Sequence, residues 1–92
     1  MSSFDIGETV IASCEVKDDD GAYKDPSTSM KITITDKFNV VKIDNAVMTK
    51  DAIGKYHYDC QTTDYVDGKY VIKYVATDGS RITIEKESFN LE

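Results

Sequence analysis

The chain has 92 residues, of which 40% are hydrophobic and 30% are charged, and its formal net charge at pH 7 is -6. This length holds one domain, residues 1–92, because two independent cores would not fit into it. The acidic charge argues against nucleic-acid binding and against docking on anionic lipid, since both need clustered basic residues. No run approaches the ~18 apolar residues of a membrane span, so we expect no membrane insertion, and "MSSFDIGETV" carries no signal-peptide pattern.

Apolar and polar residues alternate along most of the chain, which predicts half-buried β-strands rather than helices. "FDI" near the start is a candidate short strand. The clear strands follow at residues 8–17, 28–36, 55–61, 69–77 and 81–91. The stretch "FNVVKIDNAVMTKDA" predicts two short edge strands, around Val40–Val41 and Val47–Met48. About seven short strands in ~90 residues are the proportions of an antiparallel sandwich, so the predicted class is all-β with two sheets.

The last strand contains a change of phase. Ile82 and Ile84 occupy even positions, whereas Phe89 and Leu91 occupy odd ones. We therefore predict a bulge or bend between Glu85 and Ser88 that returns both pairs to the core. Turn signals separate the strands, and they are Asp20-Gly21, Asp25-Pro26, Ile53-Gly54, Asp67-Gly68 and Asp78-Gly79.

Several stretches in this order resemble a known family. They are "IGETV", "VKDDDGAYKDPS", "MKITITDKFNVV", "AIGKYHYD" and "DGKYVIKYVATDGSRITIEKESFNL", and they cover almost the whole chain. The pattern resembles the immunoglobulin-like β-sandwich modules of bacterial, archaeal and phage surface or virion proteins. The resemblance implies a virion or microbial cell-surface setting and a role as a spacer, stalk, decoration or adhesin. In immunoglobulin lettering the five clear strands are B, C, E, F and G.

The segment Asp67-Gly68-Lys69-Tyr70 resembles a tyrosine corner, in which a tyrosine near the start of strand F bonds back to the preceding loop. Gly68 and Tyr70 are therefore candidate structural residues. Gly-Lys-Tyr also occurs at residues 54–56, where it opens strand E without a preceding aspartate. The repeat thus indicates the entries to two strands rather than a duplicated ligand site.

Two cysteines, Cys14 and Cys60, are too few for a disulfide framework. The strand assignment places them on strands B and E as inward-facing neighbours in one sheet. We expect small buried thiols there, since free cysteine is among the most buried residue types. A disulfide between them stays open, because register cannot be derived from the sequence.

Carboxylates gather in the loops that share one end of this topology. A calcium ion takes six to eight oxygen ligands, so these loops are a candidate Ca²⁺ site. The alternative is a solvated loop end, because "DDDG" lacks the every-other-residue spacing of a calcium loop and lysines lie among the acids. The candidate metal ligands are Asp18, Asp20, Asp25 and Asp78.

The outward face of strands C, F and G is the candidate protein-binding surface. Val71 and Val75 occupy positions on this face that solvent is expected to reach, which favours packing on a partner protein or on a second copy. The alternative is the ordinary preference of strands for β-branched residues. The predicted contact residues are Thr33, Val71, Lys73, Val75 and Thr83.

Catalytic residues are scarce, since His57 is the only histidine and has no nucleophile placed beside it. We therefore expect a non-enzymatic structural or interaction module that needs no cofactor. It would bind a protein partner through a sheet face or one loop end. The alternative function is a carbohydrate- or calcium-dependent ligand-binding domain that uses the acidic loop end.

Overall fold

Eight β-strands make up the chain in a computed structural model that describes residues 2–92, and no helix occurs in that range. The five clear strands of the sequence are confirmed to within two residues at each end. The strands are β1 (Ser2–Phe4), β2 (Thr9–Glu15), β3 (Ser29–Thr35), β4 (Val41–Val47), β5 (Thr49–Ala52), β6 (Lys55–Gln61), β7 (Gly68–Asp78) and β8 (Arg81–Leu91).

The strands form two sheets. The larger sheet has the order β1-β8-β7-β3-β4, and the smaller has the order β2-β6-β5. Neighbouring strands are antiparallel, except that the short β1 runs parallel to the end of β8. The predicted all-β class with two sheets is confirmed, with eight strands where about seven were expected.

A single core contains the inward side chains of both sheets. Because successive residues of a strand point to opposite faces, every second residue of β2, β3 and β7 is buried or nearly so. Burying one large aliphatic or aromatic side chain contributes about 1.5–3 kcal/mol. The buried apolar residues are Val10, Ala12, Met30, Ile32, Ile34, Met48, Tyr56, Cys60, Tyr70, Ile72, Tyr74, Ala76, Phe89 and Leu91.

The predicted bulge in the last strand is wrong. β8 pairs with β7 without a register shift, from Gly68 opposite Leu91 to Asp78 opposite Arg81. Ile82 and Ile84 therefore lie on the outer face of the sheet, where they are 64% and 52% exposed. The unbroken ladder pairs the backbone groups of β8 that face β7 along the whole strand, and a bulge would have left one residue unpaired.

The unclear stretch before residue 55 forms more strand than predicted. β4 is one seven-residue strand rather than a short segment at Val40–Val41, and β5 begins after the predicted Val47–Met48. Register shifts between β3 and β4, together with a positive φ at Asn45, disturb the alternation of β4. Because apolar and polar residues do not alternate regularly along β4, its full length could not be predicted from the sequence.

Tyr70 lies at the centre of an aromatic stack. Its ring is fully buried, with centroids 5.5 Å from Tyr65 and 5.2 Å from Phe89 in stacked orientation. Its hydroxyl donates to the carbonyl oxygen of Val66 at 2.7 Å, which is the bond that the resemblance to a tyrosine corner implies. Gly68, two residues before it, has a φ of 124°, and a Cβ there would lie 2.6 Å from the Lys37 Cδ atom.

Gly54 joins two loops in a different way. Its carbonyl accepts from the Val16 amide at 2.7 Å, and its own amide donates to the Asp25 carboxylate at 2.7 Å. Its φ is 71°, and a Cβ would meet the Val16 carbonyl oxygen at 2.5 Å. The two Gly-Lys-Tyr segments therefore share turn geometry and make different contacts.

Replacing Tyr70 with Phe removes the hydroxyl that satisfies the Val66 carbonyl. We expect the free energy of unfolding to fall by about 1–3 kcal/mol, the usual effect of a buried group left without its partner. Urea denaturation followed by circular dichroism measures this. Tyr23→Phe is the matched control, because its hydroxyl bonds to Glu15 at the surface, and it should change stability by at most about 0.5 kcal/mol. Equal losses in the two variants would contradict the prediction.

Gly54→Ala and Gly79→Ala form a second matched pair, with φ values of 71° and 64°. A Cβ at Gly79 has open space within 4 Å, whereas one at Gly54 meets backbone. In both variants the new alanine must adopt a left-handed backbone conformation, which costs about 1–2 kcal/mol. Gly54→Ala should lose about 1–3 kcal/mol more, the range for overpacking, in the same denaturation experiment. The prediction is wrong if both variants unfold at the same urea concentration.

Candidate functional site

The outer face of the five-stranded sheet is formed by the residues of β3, β7 and β8 that point away from the core. Paired residues share a face, so the register defines its rows. One row runs from Val47 through Lys31 and Val75 to Ile84. The next row places Thr33, Lys73 and Lys86 side by side, and a third places Thr35, Val71 and Ser88 together.

Large aliphatic side chains are exposed on this outer face. Val47 is 70% exposed, Ile82 64%, Ile84 52% and Val71 37%. Single exposed aliphatic residues are ordinary on protein surfaces, but neighbouring ones on a flat sheet form a patch. Val75 and Ile84 are direct neighbours, and Ile82 is the next outward residue along β8.

The charges on the outer face have one sign. The outward positions of β3, β7 and β8 carry four lysines and, over these described strands, no aspartate or glutamate. This contrasts with the net charge of -6 for the chain. The four are Lys31, Lys69, Lys73 and Lys86.

Four of the five predicted contact residues lie together on this face. Thr33 and Lys73 are paired, and Val71 and Val75 lie two positions on either side of Lys73. The Thr33 hydroxyl also accepts the amide of Asn45 at 3.1 Å, so part of its polar capacity is used within the sheet.

The fifth, Thr83, lies on the opposite face. It pairs with Ala76, a core residue, because the ladder between β7 and β8 has no bulge. Ile82 and Ile84 occupy the outer face instead and were missed. The change of phase itself could have indicated them. In an unbroken strand, apolar residues at even positions before Glu85 and at odd positions after Ser88 lie on opposite faces, so the first pair faces away from the core.

The acidic loop end brings together the loops after β2, β5 and β7. Asp25 accepts hydrogen bonds from the Gly54 amide at 2.7 Å, the Tyr56 hydroxyl at 3.1 Å and the Lys50 ammonium at 2.5 Å. Lys50 is the main cause of a lowered pKa of the Asp25 carboxyl, followed by the Gly54 amide. Asp25 thus joins the loop after β2 to the hairpin formed by β5 and β6.

Asp78, the last residue of β7, also binds neighbouring loop residues through its carboxylate. Its carboxylate accepts the Ser27 hydroxyl at 2.5 Å and pairs with the Lys24 ammonium at 3.0 Å. The Ser27 hydroxyl and then Lys24 lower the pKa of the Asp78 carboxyl to about 2. These contacts fasten the long loop between β2 and β3 to the end of β7.

The remaining candidate ligands do not complete a metal site. Asp18 accepts the amides of Asp20 and Ala22 at 2.9 and 3.0 Å, which closes its own turn, and Asp20 is exposed. Within residues 2–92, no three His, Cys, Asp or Glu side chains converge in a way that could hold a metal ion. Asp18, Asp25 and Asp78 instead accept hydrogen bonds from loop amides, hydroxyls and lysines.

The two cysteines are in one sheet but are not neighbours. Cys14 lies opposite Tyr56, and Cys60 lies opposite Val10, four positions along the strands. At about 3.3 Å per residue this is a separation of roughly 13 Å, well beyond the reach of a disulfide. Both thiols are free, with Cys60 buried as expected and Cys14 only half-buried.

His57 lies at the surface of the smaller sheet. Its Nδ1 atom is 2.7 Å from one carboxylate oxygen of Asp51, and Nε2 is 3.9 Å from Asp59. Asp51 and Asp59 thus flank the ring, an arrangement that depends on the pairing of β5 with β6 and was not predicted from the sequence.

Comparison with protein-family models, curated proteins and solved structures finds no match to the chain. Across the part of the chain that the structure describes, there is no helix that could cross a membrane.

The contacts of Asp78 predict a pH-dependent contribution to stability. Its folded pKa of about 2 lies below the unfolded value of about 4, so the contribution is complete above about pH 5 and is lost as the pH falls towards 2. Asp78→Asn should therefore lower the urea midpoint at pH 7 and approach the wild-type midpoint near pH 2. Asp19→Asn, in an exposed position of the same loop end, is the control and should follow the wild type throughout. A constant difference across the pH range would contradict this prediction.

Proposed function

We propose that the chain is an immunoglobulin-like, non-enzymatic interaction module that binds an acidic protein surface through the outer face of its five-stranded sheet. The strand order supports the immunoglobulin-like assignment when β2, β6 and β5 are read as strands B, E and D. β8, β7 and β3 then correspond to G, F and C of the facing sheet. The hydrogen bond from Tyr70 to Val66, at the start of β7, supports the same assignment.

The exposed aliphatic row of the outer face is the observation that carries this proposal. Val47, Val75 and Ile84 lie in one row with Lys31 across four strands, and Ile82 adjoins this row on β8. The four strands β4, β3, β7 and β8, about 4.8 Å apart, and seven residues of about 3.3 Å give a face of roughly 19 by 23 Å. A standard interface buries about 800 Å² per partner, so this face can supply about half of one.

The lysines of the outer face determine the kind of partner. Lys69, Lys73 and Lys86 lie beside the aliphatic row, and Lys31 lies within it between Val47 and Val75, so apolar and basic groups adjoin on one face. Lys73 and Lys86 are directly opposite each other, and their mutual repulsion is relieved when a carboxylate approaches both. The matching partner surface is apolar at its centre and acidic around it.

The setting of the module is proposed on the resemblance of its sequence pattern alone. Immunoglobulin-like modules of this pattern occur in virions and on microbial cell surfaces, where they act as spacers, decorations or adhesins. A flat sheet face used for docking fits such an assembly, since it orients one rigid unit on another.

Affinity capture with the domain as bait tests the proposal. The wild type and an Ile82→Asp/Ile84→Asp double variant are used on extracts of the source, with bound proteins identified by mass spectrometry. We expect the double variant to lose the captured partner, because it places two acids in the aliphatic row facing an acidic surface. Capture by the wild type should also weaken as salt rises, since the lysines contribute through screened charges.

Ile11→Asp is the matched control for this experiment. Ile11 is 63% exposed, like Ile82, but it lies on the outward side of the smaller sheet. It should leave capture unchanged. The proposal is wrong if the wild type captures no partner or if the double variant captures the same one. It is also wrong if light scattering shows a dimer of the wild type that the double variant does not form.

A further inference from the structure

Two strand edges are open on the same side of the sandwich. β2 pairs only with β6, so its other edge is free over Thr9–Glu15. β8 pairs with β7 along its length, but β1 covers its second edge only at Phe89–Leu91. Within residues 2–92, the edge of β8 from Arg81 to Ser88 therefore has no strand beside it. Backbone N–H and C=O groups on such edges remain available for pairing.

A continuous groove runs between these two edges, and we name it the lateral groove. It consists of four adjoining depressions. Counted from the Phe4 end, the first and second share Glu87, the second and third share Cys14 and Tyr74, and the third and fourth share Ala76 and Thr83. It extends from Phe4 at one end to Arg81 at the other. The eight residues of β8 beside it span roughly 26 Å, the length of an ordinary strand.

The middle of the lateral groove is acidic. Glu15, Glu85 and Glu87 line it around the half-buried Cys14. In the described part of the chain none of the three forms an ion pair, and Glu87 is bonded instead by the Tyr74 hydroxyl. Burial first, and then Glu85, Glu87 and Glu15, raise the pKa of the Cys14 thiol to about 11. Lys86 also lines this part, but it shares the outer face with Lys73.

We propose that the lateral groove is an acceptor site for one extended peptide strand that carries Lys or Arg at alternate positions. Such a strand would pair with the free edge of β8 and run parallel to it, in line with β1. The pairing of Ser2 with Phe89 already uses this edge in the parallel direction. Main-chain hydrogen bonds give such strand addition its affinity, and alternate side chains give it specificity.

The spacing of the glutamates sets the recognition pattern. Glu85 and Glu87 are two residues apart and point to the same side of β8. Their neighbours on an added strand are likewise two residues apart on one face, so the complementary pattern is a basic residue, any β-branched residue and a second basic residue. The residue between would lie beside Ile84 or Lys86, outside the groove.

A second copy of this chain does not fit the pattern. The sequence contains no two Lys or Arg residues separated by a single position. Copies with a net charge of -6 also repel one another where an acidic groove would have to be filled. The occupant is therefore a basic strand of a different polypeptide.

The test uses the heptapeptide TVKVKVT and its glutamate twin TVEVEVT, both acetylated, amidated and dye-labelled. Fluorescence anisotropy gives the affinity, and amide chemical shifts of the ¹⁵N-labelled domain locate the site. We expect the lysine peptide alone to bind, with shifts confined to Thr9–Glu15 and Arg81–Ser88. No binding at up to about 1 mM, the weak end of the affinity scale, or equal binding of both peptides overturns the proposal.

Charge reversal at one groove residue gives the matched comparison. Glu85→Lys should weaken the lysine peptide by about fivefold or more, since one exposed ion pair can contribute that factor and repulsion replaces it. Asp44→Lys makes the same charge change on the exposed opposite edge strand and should leave the affinity within about twofold. Equal effects of the two variants, or shifts centred on β4 or β5, overturn the proposal. If Glu85→Lys does not fold, Glu85→Gln replaces it and must still weaken binding more than Asp44→Asn.

The result is separate from that of the outer-face experiment. Peptide affinity reports on the groove, and loss of capture by the Ile82→Asp/Ile84→Asp variant reports on the opposite side of β8. Either proposal can therefore fail while the other holds.

Discussion

The unbroken pairing of β7 with β8 is the constraint on which the surfaces of this protein depend. Eleven residues of each strand are paired without a shift, so the face of every β8 residue is determined by its partner. Ile82, Ile84 and Lys86 are directed away from the core, whereas Thr83, Glu85 and Glu87 point to the lateral groove. One strand thus carries two surfaces of opposite charge, separated by the thickness of a single backbone.

The unequal size of the sheets explains why the inner side of β8 is charged. Three strands cannot cover the inner faces of five, and β2, the outer strand of the small sheet, leaves the first half of β8 open. Inward positions of β8 are apolar only where they are covered, at Phe89 and Leu91. The uncovered inward positions can hold glutamate because solvent reaches them, so no buried charge needs a partner.

The sequence was sufficient to predict the long strands, the two-sheet class, the gathering of aspartates at one end and the bond made by Tyr70. The strands and their class follow from local rules, period two and turn residues, whereas the gathering of aspartates and the Tyr70 bond are implied by the resemblance to an immunoglobulin-like topology. What could not be predicted depends on register. The four-residue offset of Cys14 from Cys60 and the irregular pairing of β4 are properties of two strands together. The partners of Asp25 and Asp78 likewise depend on how loops meet in space, which no local pattern contains.

The carboxylates of the lateral groove also act against pairing between the open strand edges of two copies. An exposed strand edge is a template for any other exposed strand, and stacking of such edges is the first step towards fibres. Glu85 and Glu87 put two like charges beside the open edge of β8, and the irregular pairing of β4 disturbs the opposite edge of the sheet. Both ends of the five-stranded sheet are thereby protected from copies of themselves, by charge on one side and by shape on the other.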